Sequence, residues 1–453
     1  MKRFVRWAFL LVGLSCWSGW LGELPAAERR LRVATFQSEV TLPVGHWLYR
    51  RPLETVETPL LAKGIVLECD GQRYVLCAVD WCTLRNSAHR MFQARLADAV
   101  GTDPSRVAVH CVHQHTAPSV DADAQKLLQD TEKPLQRIDL AFLDEVTKRL
   151  AEAAKQAVDK LEPFNQVGLG TARVDRVASI RRLRAEDGSA LTRWSSCKDP
   201  KLRAMPEGNI DPILKTITLA RDRRPLVRLH YYATHPQSFY GDGRACWDVP
   251  GFARQRLEAK EGVFQIYFTG CAGDVTMGKY NDGSPEARRQ LSQRLYAALA
   301  AASAATRWFP ADSIQWRVVR VRLPVRNEPD WQLDRNRALL ADPEQSETVR
   351  TRAAGRVACA LRMKEPIELS LLAIGPVHIL HLPGEPMIEF QHFAQTVLAE
   401  RVVAVAGYGL GDPGYLCTAQ AYEEGGYEPS ASMCPPEAEE ILKRAIRKLL
   451  KGG

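Results

Sequence analysis

At 453 residues, with 45% apolar and 25% charged side chains, the chain is long enough to bury one large core or two ordinary ones, and its balance excludes wholesale disorder. Its formal net charge is +8, yet Lys and Arg are scattered, apart from Arg181, Arg182 and Arg184 and a run over residues 443–451. A nucleic-acid binder concentrates such an excess in one stripe, so a solvated basic surface is the expectation.

The first 27 residues read as an export signal. Lys2, Arg3 and Arg6 form a basic head, residues 7–21 an apolar stretch short for a membrane span, and Pro25, Ala26 and Ala27 a small-residue cleavage region. A lipoprotein signal around Cys16 would want Leu where Gly13 stands, and retention as an uncleaved anchor is the other alternative. Cleavage would remove Cys16 and leave ten of the eleven Cys. Export permits disulfides. Cys69, Cys77, Cys82 and Cys111 nevertheless lie in apolar strand-like runs that suit buried thiols equally well. No CxxC pair occurs, so a cysteine-based zinc site is not expected.

Residues 64–69 and 73–79 are apolar runs on either side of Asp70-Gly71, which predicts a hairpin. Residues 87–100 have the period of an amphipathic helix, 106–112 form an apolar strand, and 140–161 a second helix rich in Ala, Lys and Glu. Strands are predicted over 213–219, 226–232 and 263–268, an Ala-rich helix over 285–304, and a half-buried strand over 314–325. A second hairpin joins 367–374 to 377–382 through Gly375-Pro376, and helices follow over 386–401 and 437–450. There is no fixed-period repeat and no long low-complexity linker, so one mixed α/β unit is expected.

Several residues able to do chemistry stand at the ends of these strands. His113-Gln114-His115 follows the strand over 106–112. In an extended chain, residues i and i+2 share a face, so both imidazoles would point to the side of Val107, Val109 and Cys111. That suits two metal ligands, or one ligand beside a proton shuttle; it equally suits two ordinary polar histidines. His110 faces the other way and reads as structural. His235 ends the strand over 226–232, and Pro236 keeps it out of helical geometry; a loop histidine held by hydrogen bonds is the plainer reading. The small residues of Thr269-Gly270-Cys271-Ala272-Gly273-Asp274-Val275 let the backbone turn close to a ligand. Neither GK[ST] nor GxGxxG is present, which disfavours a nucleotide. Glu385 lies between a strand and a helix, either as a helix N-terminal charge or as the oxygen ligand completing a set of two His and a carboxylate. Tyr415, Tyr422 and Tyr427 sit in a Gly-rich segment; tyrosine is an uncommon zinc ligand and can donate to an oxyanion.

Together these segments resemble the neutral/alkaline non-lysosomal ceramidase family. The family segment H-T-H-S-G-P resembles His113-Gln114-His115-Thr116-Ala117-Pro118, and its His-Pro-Thr-Ser resembles His235-Pro236-Gln237-Ser238. Its G-D-V-S-P-N is similar to Gly273-Asp274-Val275-Thr276-Met277-Gly278, and its Pro-Gly-Glu to Pro383-Gly384-Glu385. The late Y-V-T-T…Y-E element is similar to Tyr415-Leu416-Cys417-Thr418 followed by Tyr427-Glu428. All five segments come in the family's order, from about Val33 to Glu428. The resemblance implies an α/β fold of mixed sheets flanked by helices, with residues 28–453 forming the catalytic domain. Because the chain ends in a helix soon after Tyr427, the family's C-terminal immunoglobulin-like domain is not expected.

The resemblance also implies that His113, His235, Glu385 and Tyr415 hold Zn2+. It implies that His115, Tyr427 and an arginine near position 180 serve the substrate. The family has Asn-Arg there and this chain has Ile180-Arg181-Arg182; Arg181 is the choice, with Arg182 as the alternative. The implied activity is that of an exported, zinc-dependent amidohydrolase cleaving the N-acyl bond of a ceramide-like lipid amide by attack of a zinc-bound water. His115 would carry the proton to the leaving amine, while Tyr427 and Arg181 donate to the oxyanion or to a substrate hydroxyl. A small-molecule lipid amide is the implied partner, which leaves room for peripheral contact at a membrane surface; no nucleic acid and no obligate protein partner is expected. Thr116-Ala117 and Met277-Gly278 depart from the family pattern and bear on substrate identity more than on the metal. Two other readings stand beside this one: a zinc hydrolase for another amide or ester, such as an N-acetyl sugar or a lipopeptide, and a secreted binding protein with a vestigial metal site.

Overall fold

The computed structural model describes Met1, residues 31–411 and residues 413–452, so the export signal assigned to residues 1–27 lies, apart from Met1, outside the described residues. Among the described residues no helix is long and apolar enough to cross a membrane.

The expected first hairpin pairs Leu61–Cys69 with Gln72–Val79, Cys69 lying opposite Gln72. Asp70 and Gly71 have φ of 50° and 77°, the left-handed conformation that a two-residue turn needs to match the twist of its strands. This hairpin belongs to a nine-stranded mixed sheet. Its order runs Gln315–Val321, Ile367–Ile374, Val377–Pro383, Val402–Gly409, Val107–Cys111, Gln72–Val79, Leu61–Cys69, Arg32–Glu39 and Glu162–Pro163. A second sheet of five strands runs Phe264–Thr269, Arg224–Tyr232, Ile213–Arg221, Gln166–Arg173 and Arg307–Pro310.

The two sheets face each other. Ile65 and Leu67 of the larger sheet meet Ile217, Leu219 and Leu229 of the smaller one, together with Leu372, Ile374 and Ile379. Alternate residues of the same strands, Leu369, Leu371, Leu380 and Leu382, point into a second core under the C-terminal helix Ala438–Lys451. Burial on both faces explains why these strands read as unbroken apolar runs. Helices Asn86–Val100 and Leu140–Val158 pack together on the N-terminal part of the larger sheet, and Pro285–Ala304 packs on the smaller one.

Of the differences from the sequence reading, two boundaries and one unexpected helix bear on the site. The strand over 106–112 stops at Cys111, because His113 turns to a φ of 75°. The helix over 386–401 is confined to Ile388–Val397, because Glu385–Pro386 instead pairs as a short parallel ladder with Tyr415–Leu416. The helix Asp248–Glu261 was hidden by Pro250 and Gly251 in its first turn.

That helix carries the most buried ion pair of the fold. Arg254 donates through Nη1 and Nη2 to both oxygens of Asp80, at 3.0 and 2.9 Å, with neither side chain exposed. Asp80 directly precedes Trp81 and Cys82, whose carbonyls hold His113. Arg254→Ala would leave a buried carboxylate without its partner, and breaking such a pair costs about 3–5 kcal/mol. Urea unfolding should show that loss. A loss below about 1 kcal/mol, the range of an exposed pair, would mean that water solvates Asp80.

Candidate metal centre

Short ladders deliver the functional side chains to one place. Thr83–Arg85 pairs in parallel with Ser119–Asp121, which closes the segment carrying His113 and His115 at both ends. Ser179–Ile180 pairs with Val275–Thr276 and brings Arg181 against Asp274, whose carbonyl accepts the Arg181 backbone N–H at 2.7 Å. In the third ladder Glu385 lies directly opposite Tyr415.

His113, His235 and Glu385 are buried, and their ligand atoms lie within 4.8 Å of one another. Glu385 Oε2 is 3.3 Å from His113 Nε2 and 3.4 Å from His235 Nε2. The outer nitrogen of each imidazole is already committed: His113 Nδ1 donates to the Cys82 carbonyl at 2.7 Å, and His235 Nδ1 to the Ala272 carbonyl at 2.5 Å. Such bonds fix the tautomer, leaving both Nε2 lone pairs pointing at the carboxylate. The left-handed backbone of His113 is held by its N–H, which donates to the Trp81 carbonyl at 2.9 Å.

Burial brings the His235 pKa down to about 4, and burial together with the neighbouring His113 and His235 holds His115 well below the usual imidazole range. Burial alone would raise Glu385; the two imidazoles against it hold the carboxyl well below the carboxylate range instead. A neutral His235 beside an ionised Glu385 gives the protonation states that metal binding requires of these two ligands.

These residues fit a divalent cation. His235 Nε2 and Glu385 Oε2 are buried and make no hydrogen bond. Each such orphan costs about 1–3 kcal/mol, a cost that a shared cation at the centre removes. The Cys82 thiol forms a second, overlapping group with His113 and His115. In that group His113 is shared, and its Nε2 already faces Glu385.

The run over residues 270–275 is a carbonyl cradle rather than an anion loop. Its carbonyls accept from His235 Nδ1 (Ala272), Arg181 Nη2 (Gly273), the Arg181 N–H (Asp274) and the His235 N–H (Val275). Small residues are needed because the Glu385 backbone passes so close: a Cβ on Gly273 would lie 2.5 Å from the Glu385 carbonyl oxygen.

Of the two candidate arginines, Arg181 is the one at the centre. Its Nη2 donates to Tyr415 Oη at 3.2 Å and its Nε to Glu428 at 2.7 Å. Arg182 braces Glu428 and Glu424 from the other side. Tyr427 packs edge-on against Tyr415 with centroids 5.7 Å apart, and Arg181 lies 5.0 Å from its ring. Tyr422 is turned away and donates to Ser432 and to the Cys434 carbonyl.

His115 Nε2 is 3.3 Å from His113 Nε2, although the chain is not extended between them. His110 is buried elsewhere and donates to the Gly407 carbonyl, as a structural residue would. Partners that the sequence reading missed surround the pair. Tyr408 stacks on His113 at 4.1 Å, and Tyr49 and Tyr240 flank His115 at 4.5 and 6.1 Å. The Gln237 amide donates to His115 Nδ1 at 3.1 Å and accepts from Ser195 Oγ at 2.6 Å. Only Gln237 and Glu428 left a trace in sequence, because they adjoin His235-Pro236 and Tyr427.

No family model matches the chain, and no curated protein matches it in sequence. Among solved structures, the neutral ceramidase from Pseudomonas aeruginosa matches with a TM-score of 0.69 at 15% identity, covering 93% of this chain and 75% of that one. A ceramidase complexed with C2 gives the same TM-score and coverage at 14% identity. The chain therefore has the neutral-ceramidase fold, as its ordered motifs led one to expect.

Proposed function

We propose that this protein is a zinc-dependent amidohydrolase that cleaves an N-acyl bond in a lipid-like amide. The observation that carries the reading is the convergence of two imidazoles and a carboxylate, with His235 Nε2 and Glu385 Oε2 left without hydrogen-bond partners. Two His nitrogens and a carboxylate oxygen are a donor set that suits zinc. His113, His235 and Glu385 would hold the ion, with the Tyr415 hydroxyl as fourth ligand on the strength of the family resemblance. Bound there, zinc supplies a Lewis acid that polarises an amide carbonyl and makes water acidic enough to attack near neutral pH. The ceramidases that share the fold support an amide of a lipid as the substrate.

The remaining steps belong to this chain's own side chains. Because the Gln237 N–H donates to His115 Nδ1, the ring proton of His115 sits on Nε2, facing the centre. In that form the neutral ring only donates a hydrogen bond; it protonates the leaving nitrogen once it has taken up a second proton and become imidazolium. To accept a proton from the attacking water at Nε2, the ring must carry its own on Nδ1. Turning over the Gln237 amide allows this, since Oε1 then faces Nδ1 and the Ser195 hydroxyl accepts instead of donating. Arg181 keeps the Tyr415 hydroxyl oriented, and Tyr427, beside it, donates to the oxygen on which charge develops. Export through residues 1–27 completes the proposal.

The experiment is metal analysis of the purified protein followed by a substrate panel of a long-chain ceramide, an N-acetyl sugar and a simple ester. One zinc per chain and preference for the lipid amide are expected. Preference for the sugar or the ester would defeat the lipid reading alone, and zinc-loaded protein that cleaves nothing would favour a binding protein.

A further inference from the structure

Beside His115 the rings of two loops form an aromatic mouth that holds Arg50. Tyr49 stands edge-on to His115, and Tyr240 flanks it from a different loop. The Arg50 guanidinium lies over both rings, 5.4 Å from the Tyr49 centroid and 5.3 Å from the Tyr240 centroid. Trp194, 47% exposed, extends the rim from Tyr427, with ring centroids 5.0 Å apart. Two backbone bonds and one side-chain bond tie the two loops to each other and to the site. The Tyr49 N–H donates to the Ala117 carbonyl, the Glu54 N–H to the Gly243 carbonyl, and Arg51 Nη1 to the Gly241 carbonyl. Arg50 thus lies over the two rings that flank His115 and is exposed to solvent.

The charges near this mouth are otherwise accounted for. Arg181 is buried and neutralised by Glu428. Arg51 pairs with Glu54, and Arg244 with Asp242 and Glu57. Among the described residues no carboxylate pairs with Arg50. A divalent cation in place would add positive charge beneath this cluster, where Glu385 is the carboxylate that faces the two imidazoles and Arg85 Nη2 lies 4.0 Å from it. A planar guanidinium stacked on aromatic rings keeps its edge free for a carboxylate, which it can bind through two parallel N–H donors.

We infer that the mouth selects N-acyl substrates bearing a carboxylate near the scissile amide, as an N-acyl amino acid does, and that Arg50 is the residue that binds that carboxylate. The inference rests on the amidohydrolase reading and narrows its substrate. A neutral lipid amide would leave Arg50 with nothing to pair.

The test compares four amides of similar chain length on zinc-loaded protein: N-lauroylglycine, N-lauroylethanolamine, a C12 ceramide, and the ethanolamine monoamide of 2-decylmalonic acid. The last places the carboxylate on the acyl side. A charge-assisted contact of this kind favours the carboxylate-bearing amides by about 10- to 100-fold in kcat/KM over the neutral ones, chiefly through KM. Arg50→Gln should bring that ratio toward one, Arg50→Lys should keep part of it, and Arg221→Gln, a control at the exposed end of the strand Ile213–Arg221, should leave it in place. Which of the two charged amides is preferred shows whether the amine or the acyl side faces Arg50. Equal cleavage of neutral and charged amides, or a ratio that survives Arg50→Gln, overturns the inference and leaves the hydrolase standing. Failure to cleave any amide overturns both.

Discussion

Glu385→Gln should leave a folded protein that no longer takes up zinc and hydrolyses amides at the background rate. The substitution keeps the shape of the side chain and removes the carboxylate against which His113 and His235 are set. In the metal-free protein it should cost little, because the lost Oε2 makes no hydrogen bond. The larger difference appears on adding metal. A ligand present at a thousandfold its dissociation constant stabilises the native state by about 4 kcal/mol, so zinc should raise the unfolding midpoint of the wild type and not that of the variant. Thermal unfolding with and without zinc, beside elemental analysis, reads both effects. A variant that still shows the zinc-dependent shift would place the ion elsewhere, with the Cys82, His113 and His115 group as the next candidate.

His115→Ala should retain zinc and lose turnover by about 10²–10⁴-fold, the range for removing a general acid–base group. Its Nε2 faces the centre, but its Nδ1 is bonded to a side-chain amide rather than to a backbone carbonyl, unlike those of His113 and His235. A ring held by a reversible amide partner is suited to exchanging protons. A ligand needs the fixed tautomer that a carbonyl enforces. Loss of zinc from His115→Ala would mean that His115 is a ligand after all, and an unchanged kcat would remove it from the reaction.

How far the site was legible depended on the distance over which each contact acts. The hairpin at Asp70-Gly71, the helix Pro285–Ala304 and the strand before His235 follow from turn chemistry and local periodicity, and they appear close to where the sequence placed them. The share-a-face argument for His113 and His115 arrived at a true neighbourhood by the wrong route. The strand ends at Cys111, one residue early, and a left-handed turn at His113 brings the rings together. The loop over 270–275 was legible as small residues near a ligand, but not as a set of four carbonyl acceptors. That use depends on which side chains arrive from elsewhere.

By itself, then, the sequence determined the kinds of donor and the strand ends at which they stand, because residue identity and local period are properties of short segments. Only the tertiary structure decided that Arg181 rather than Arg182 meets Tyr415, that Glu428 neutralises it from 247 positions away, and that Gln237 partners His115. It alone placed Arg50 over two tyrosines from separate loops. The physical reason is common to all of these contacts. They join segments far apart in the chain, and their meeting is set by strand order within two packed sheets and by short ladders such as Glu385 against Tyr415, which no local pattern encodes.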